Sequence, residues 1–175
     1  FYAVRNKERF RGANIVIGGG GDSAIDWALS LKDIAEKITL VHRRDKFRAA
    51  PEMVAQVKAL AEKGGIDLAT PYQLKSLEGD EGKLSGVVIA DMEGNQKTLQ
   101  ADFLLPFYGI ATDLGPLSNW GIAVEHHHIA INPRNCATSA NGIYAIGDIA
   151  TYEDKLKLIL TGFSEAATAA HAIYK

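Results

Sequence analysis

Apolar and polar positions alternate with two different periods along this chain. Residues 13–17 (ANIVI) are a short β-branched run that reads as a buried strand, ended by the glycine run at 18–21. Asp22 and Ser23 are N-cap candidates for a helix. Residues 24–31 then carry apolar side chains at helical spacing, with Ile25, Ala28 and Leu29 on one face. Residues 37–41 (KITLV) predict a second strand, ending at His42-Arg43-Arg44. Residues 51–63 predict an amphipathic helix with Met53, Val57 and Leu60 inward and Gly64-Gly65 as its stop.

The period then shortens. Strands are predicted at 72–77, 86–91 and 97–101, with turns at Gly79-Asp80-Glu81-Gly82 and Glu93-Gly94-Asn95. This is a β-meander. Residues 103–108 (FLLPFY) predict one more buried strand, and Gly109 follows it as a hinge candidate. Residues 110–119 read as loop, 128–132 and 142–146 as strands, and 163–174 as an Ala-rich helix. A domain boundary is expected near residues 108–111, dividing the chain into 1–109 and 110–175. The expected fold class is α/β: a parallel sheet with helices and a meander, joined to part of a second domain.

Composition narrows the range of functions. A hydrophobic fraction of 47% and a charged fraction of 23% are those of an ordinary globular protein. A net charge of -2 provides no nucleic-acid footprint, whereas the local cluster His42, Arg43, Arg44 and Arg48 suits a small anionic ligand. The one cysteine, Cys136, excludes an internal disulfide or CxxC pair and reads as a small structural residue. No apolar run has the length of a membrane span and no signal pattern opens the chain, so the cytoplasm is the expected compartment. Glu125-His126-His127-His128 is not read as a metal site, because neighbouring residues of a strand alternate faces. Trp120 is read as a packing residue.

The chemistry concentrates after the first strand. Gly19-x-Gly21-x-x-Ala24 matches the GxGxxA form of a dinucleotide fingerprint, and Gly18-x-Gly20-x-x-Ser23 is a second register. In either, the first glycine permits the tight turn, the second lets a pyrophosphate reach the backbone, and the small third residue lets helix and strand pack closely. The pyrophosphate then rests on the positive end of the helix. Gly19, Gly20, Gly21, Asp22 and Ser23 are therefore cofactor-binding candidates. An NAD site would place Asp or Glu at the end of the second strand; this chain has His42, Arg43 and Arg44 there, with Arg48 shortly after. Guanidinium groups grip a 2′-phosphate that a carboxylate would repel, so the expected coenzyme is NADP(H).

IVIGGGGDSAIDWAL followed by LVHRRDKFRAAPE resembles the NADPH domain of thioredoxin-reductase-like flavoproteins. GIYAIGDIATYEDKLKLILTGFSEAATAAHAIYK resembles the closing FAD segment of the same family. LLPFYGIATDLGPLSNWGI and KLKLILTGF are similar to the ferredoxin–NADP reductase branch. There are two departures. The stretch before the first strand, FYAVRNKERF, lacks the CxxC of thioredoxin reductases, which argues against a dithiol relay. The family's opening FAD-binding segment, with its own glycine motif, is also missing, so the chain reads as an internal stretch of a longer protein.

The resemblance implies FAD and NADP as cofactors and hydride transfer from NADPH to flavin. Ferredoxin or flavodoxin is the implied electron partner, in a homodimer when full length. It implies that Asp148, at the tip of a strand over residues 142–148, bonds a ribityl hydroxyl, with the Ile149 N–H near the phosphate or ribityl chain. It implies that the Ala-rich helix after Thr161 and Gly162 points its positive end at the flavin; Thr161 reads equally as a plain N-cap. Gly109 joins the cofactor-binding candidates at the interdomain turn. No catalytic acid or base is expected within the chain. A disulfide reductase and a non-enzymatic NADP-binding module remain open as alternatives.

Overall fold

Four parallel strands form the central sheet, and the first two carry the β-branched runs. The four are β1 (Asn14–Gly18), β2 (Lys37–Val41), β3 (Asp67–Ala69) and, after three further strands, β7 (Phe103–Pro106). Their order is β3-β2-β1-β7, the arrangement of one nucleotide-binding half of a doubly wound sheet. Side chains alternate across it. Ile15, Ile17, Leu40 and Leu105 join one core and Val16 and Val41 the other, which is the period-two pleat at work. The computed structural model describes residues 4–109 and 113–174. The chain divides into two compact units, Phe1–Gly109 and Ile110–Lys175.

Helices cover one face of this sheet. Helix α1 (Asp22–Leu31) buries Ala24, Ile25, Ala28 and Leu31. Helix α2 (Pro51–Glu62) begins with proline at its first turn and buries Val57, with Met53 and Leu60 packed at the edge of the same core. Each buried Ile, Leu or Val contributes roughly 1.5–3 kcal/mol. The other face is covered by the antiparallel sheet of β4 (Gln73–Asp80), β5 (Lys83–Ala90) and β6 (Gln96–Gln100). Val87 and Ile89 of β5 pack with Val16 and Val41 there.

Several boundaries differ from the sequence reading. β3 is not predicted; three residues are too few to show a period, and pairing such as Leu40↔Leu68 holds them. β4 runs on through Gly79 and Asp80, so the turn contracts to Glu81-Gly82, both at positive φ. Neither Asp22 nor Ser23 caps α1. Gly21 does, without a side-chain bond, and both candidates lie in the first turn.

The second unit has a three-stranded sheet, β10-β9-β8, of β8 (Val124–Glu125), β9 (His128–Ala130) and β10 (Ala150–Thr151). Ile122, Ile129, Ala145 and Ala150 form its core. The expected strand at 142–146 is reduced to a single bridge between Ala137 and Tyr144. Thr138 ties up the local backbone, its hydroxyl donating to Ile143 O at 2.9 Å and to Ala140 O at 3.2 Å. Helix α3 (Ile159–Tyr174) starts four residues earlier than expected, so Thr161 and Gly162 lie inside it. A Cβ on Gly162 would make an ordinary contact, 3.5 Å from Gly147 Cα. Trp120 is 55% exposed, against the expected packing role. No helix among the described residues is long and apolar enough to cross a membrane.

The histidines are not in one strand. Glu125 pairs with His128 across the β8–β9 hairpin, and His126 and His127 form its two-residue turn at φ 48 and 64. Such turns favour Asn-Gly because both central residues are left-handed. Replacing His126-His127 by Asn-Gly is expected to raise the unfolding free energy by about 1–2 kcal/mol, read by chemical denaturation.

Candidate functional site

A groove of about 420 Å³ opens at the carboxyl ends of the parallel strands. It is lined by Gly19 and Gly20 after β1, Val41, His42, Arg43 and Arg48 at and after β2, and Tyr72, Gln73 and Leu74 after β3. Phe107 and Tyr108 after β7 complete it. Chain order reverses beside β1, since α1 leads to β2 on one side and the later β7 lies on the other. Crevices of open α/β sheets at such a switch point are where ligands bind.

The glycines here meet three different demands. Gly19 has φ 146, and a Cβ on it would lie 2.5 Å from Phe107 O. A Cβ on Gly20 would lie 2.4 Å from the His42 ring. A Cβ on Gly21 would meet nothing, which leaves the backbone open above the start of α1. Ala24 is fully buried and contacts the Gly19 position at 3.1 Å, whereas Ser23 is exposed. The small-residue place of the fingerprint is thus filled by Ala24, in the Gly19-x-Gly21-x-x-Ala24 register.

The segment after β2 is fastened to this glycine loop. The Arg48 N–H donates to Gly20 O at 2.7 Å. The Ala50 N–H donates to Asp22 Oδ1 at 2.9 Å. Asp22 is therefore a pin between the two loops rather than a cap. His42 continues the sheet's bonding, its N–H donating to Ala69 O and its carbonyl accepting from the Tyr72 N–H. Its ring stacks on Phe47 with centroids 5.2 Å apart.

His42 is 8% exposed, and its Nε2 is buried with no hydrogen-bond partner among the described residues. An unmade hydrogen bond of this kind costs about 1–3 kcal/mol. Burial pushes the imidazole below its ordinary range; the Lys46 backbone opposes this, and the charges of Arg48, Arg43 and Arg44 add to it. Arg43, Arg44 and Arg48 are exposed, and none meets a carboxylate within 4.0 Å among the described residues. The structure therefore gathers a polar donor set with no internal anion.

Not every candidate reaches the groove. Gly19, Gly20, His42, Arg43 and Arg48 line it; Gly21, Asp22, Ser23, Arg44 and Gly109 do not. Gly109 follows Tyr108 in a left-handed conformation at φ 81. Sequence reasoning missed Tyr72, Gln73, Leu74, Phe107 and Tyr108. Their signal was available: each follows a strand end, but β3 was unseen and β7 was read as running through Tyr108.

In the second unit, Asp148 sits not at a strand tip but in a single 3-10 turn, Gly147–Ile149. It is exposed, and its carboxylate accepts no hydrogen bond among the described residues. Gly147, at φ 73, sets the turn. Thr161 lies in the first turn of α3, ahead of the first intrahelical bond, Gly162 N–H to Leu158 O. Its N–H is one of the donors that a helix start leaves over. Cys136 is buried and burial pushes its thiol up, which suits an inert packing residue.

The groove yields a pH prediction. A depressed His42 pKa means that the unfolded chain binds the proton more readily, so stability contributed by neutral His42 is lost as pH falls below 6.5. The His42 imidazole resonance should titrate below 6.5 in the free protein. Addition of NADP⁺ should move that midpoint upward. A midpoint at or above the ordinary value without ligand would refute the buried neutral ring.

The model of the family described as pyridine nucleotide-disulphide oxidoreductase matches residues 2–172. A ferredoxin–NADP reductase of Granulibacter bethesdensis is 58% identical over 173 residues, covering 99% of this chain and 49% of that protein. One of Paramagnetospirillum magneticum is 57% identical over 174 residues, covering 99% of this chain and 52% of that protein. The chain thus spans about half the length of the curated relatives it matches. Among solved structures, the thioredoxin reductase of Lactococcus lactis superposes with a TM-score of 0.79 at 28% identity, covering 96% of this chain and 54% of its own. The parallel sheet, its glycine turn and these likenesses agree, and the chain belongs to the pyridine nucleotide-disulphide oxidoreductase family.

Proposed function

We propose that the first unit, residues 1–109, binds NADPH, and that the second, residues 110–175, supplies the closing segment of an FAD site. The whole protein would then be a ferredoxin–NADP reductase acting on ferredoxin or flavodoxin, as a cytoplasmic homodimer. The observation that carries this is the basic loop fastened onto the glycine turn. The relatives' names support the reaction class.

The groove and the helix start beside it suit a phosphorylated dinucleotide on three counts. Gly21 leaves open space above the start of α1, where the helix has no side-chain cap. His42 Nε2 is buried and unbonded. Arg43 and Arg48 line the groove without carboxylate partners among the described residues. The backbone at Gly19, Gly20 and Gly21 would take the pyrophosphate, with Ser23 beside it on the first turn. Arg43, Arg44 and Arg48 would hold the 2′-phosphate by charge-assisted hydrogen bonds. In the second unit, the free carboxylate of Asp148, the Ile149 N–H and the first-turn N–H of Thr161 would face the flavin. When bound, the flavin supplies the exchange between two-electron and one-electron transfer. This chain's residues bind and orient, and none of them is assigned a proton transfer. We assign Gly109 to the interdomain turn, where its left-handed backbone suits a hinge.

A disulfide reductase is the lesser reading. The structural likeness to thioredoxin reductases favours it, but the stretch before β1 holds no cysteine and Cys136 is buried.

In the complete protein, Arg43→Ala with Arg44→Ala is expected to weaken NADPH binding on the order of 100-fold, since each charge-assisted bond is worth about 1.5–3 kcal/mol. NADH binding should change less than about threefold, because only the extra phosphate is lost as a target. Steady-state reduction of ferredoxin with each coenzyme reads the difference. Equal losses for the two coenzymes would defeat the assignment.

A further inference from the structure

A buried ionic cluster in the second unit has no part in the roles assigned so far. Glu165 on α3 places its carboxylate among three donors. The Gly147 N–H donates to Oε2 at 2.7 Å. The Tyr152 hydroxyl donates to Oε1 at 2.9 Å. The Lys155 ammonium donates to the same oxygen. The side chains of Lys155 and Glu165 are 4% and 7% exposed. Burial works against the Glu165 charge, but Lys155, the Gly147 N–H and Tyr152 outweigh it and hold the carboxyl below its ordinary range. The hydrogen bond to Glu165 pushes the Tyr152 hydroxyl up.

Stability alone is a poor reason for such a cluster, since a buried ion pair is often replaceable by apolar groups at no loss. Its geometric effect is specific. Three separate segments, at Gly147, at Tyr152–Lys155 and on α3, meet at one carboxylate. Gly162 of α3 lies beside Gly147, and a Cβ on it would make an ordinary contact, 3.5 Å from Gly147 Cα. The next residue is Asp148, exposed and without an internal partner among the described residues. Nothing on the Asp148 side chain fixes its direction, so the backbone of the 147–149 turn must. Lys155 also cancels the Glu165 charge, so no net negative charge underlies a turn that is to face an anionic ligand.

We propose that Glu165 is a positioning residue of the flavin site: with Lys155 and Tyr152 it clamps the Gly147 turn, and so aims Asp148 and the Ile149 N–H at the ribityl–phosphate chain of FAD. This rests on reading the second unit as flavin-binding. Glu165→Gln keeps the shape but turns one acceptor into a donor facing a donor. Lys155→Met removes the ammonium and keeps the length. Tyr152→Phe removes one hydrogen bond and is the mildest change.

The test is made on the complete protein, stripped of FAD and titrated with it. Glu165→Gln and Lys155→Met are expected to weaken FAD binding about tenfold each, and to shift the visible absorption and circular dichroism of bound flavin. Tyr152→Phe should do the same to a smaller degree, and it serves if the stronger variants do not fold. Asp148→Asn should also weaken FAD. Glu165→Gln added to Asp148→Asn should then cost less than it does alone, because part of the clamp's effect passes through Asp148. Three results would overturn the proposal. One is a lowered melting temperature of the apoprotein with FAD affinity and flavin spectra unchanged, the mark of a merely structural cluster. Another is full additivity with Asp148→Asn. The third is Asp148→Asn leaving FAD affinity intact, which would remove the flavin reading itself; the first two would leave that reading standing.

Discussion

The contact between the glycine turn and the segment after β2 sets the geometry of the first unit's site. The His42 ring occupies the space a side chain on Gly20 would need, and the Arg48 N–H and Asp22 carboxylate add a bond on either side of it. Each such bond is worth only about 0.5–1.5 kcal/mol. Their value is geometric, because they hold the basic residues at a fixed distance from the start of α1. The parallel pairing of β1 with β2, from Asn14↔Lys37 to Gly18↔Val41, brings both loops to one edge of the sheet. A dinucleotide reaching from the helix start to the arginines would find both ends of its site already placed.

The second unit solves a similar problem by other means. Among the described residues its core cluster is small, with four buried apolar residues, and α3 leaves Ile159, Leu160, Phe163 and Tyr174 exposed. Rigidity at Asp148 therefore cannot come from packing alone. A buried carboxylate with three donors supplies it instead, on the proposed reading, at the cost of taking two charges out of water. On the proposed reading, each unit fixes a ligand-facing turn through one buried polar residue, His42 in the first and Glu165 in the second.

Much of this was legible in the sequence because the signals are local. The short apolar runs of β1 and β2 and the helical spacing of α1 and α2 appear where the pattern puts them. The basic cluster was visible because it breaks the expectation of an acidic residue at that position. What escaped depends on partners distant in sequence. β3 is three residues long and exists through its pairing with β2. Asp22 looked like a cap until the fold brought Ala50 to it. The His126-His127 turn carries no Asn-Gly or Asp-Gly pair, the residues that mark a two-residue hairpin turn in a sequence. Glu165 gave no signal at all, since an isolated Glu on a helix reads as solvated surface.

On the proposed reading, the fastened basic loop recognises one phosphate. Calorimetric titration of the protein with 2′,5′-ADP and with 5′-ADP tests it without the nicotinamide, the flavin or any mutation. The 2′-phosphate is expected to tighten binding on the order of 100-fold at low salt, with the gap narrowing as salt screens the exposed arginines. Equal affinities at every salt concentration would contradict it.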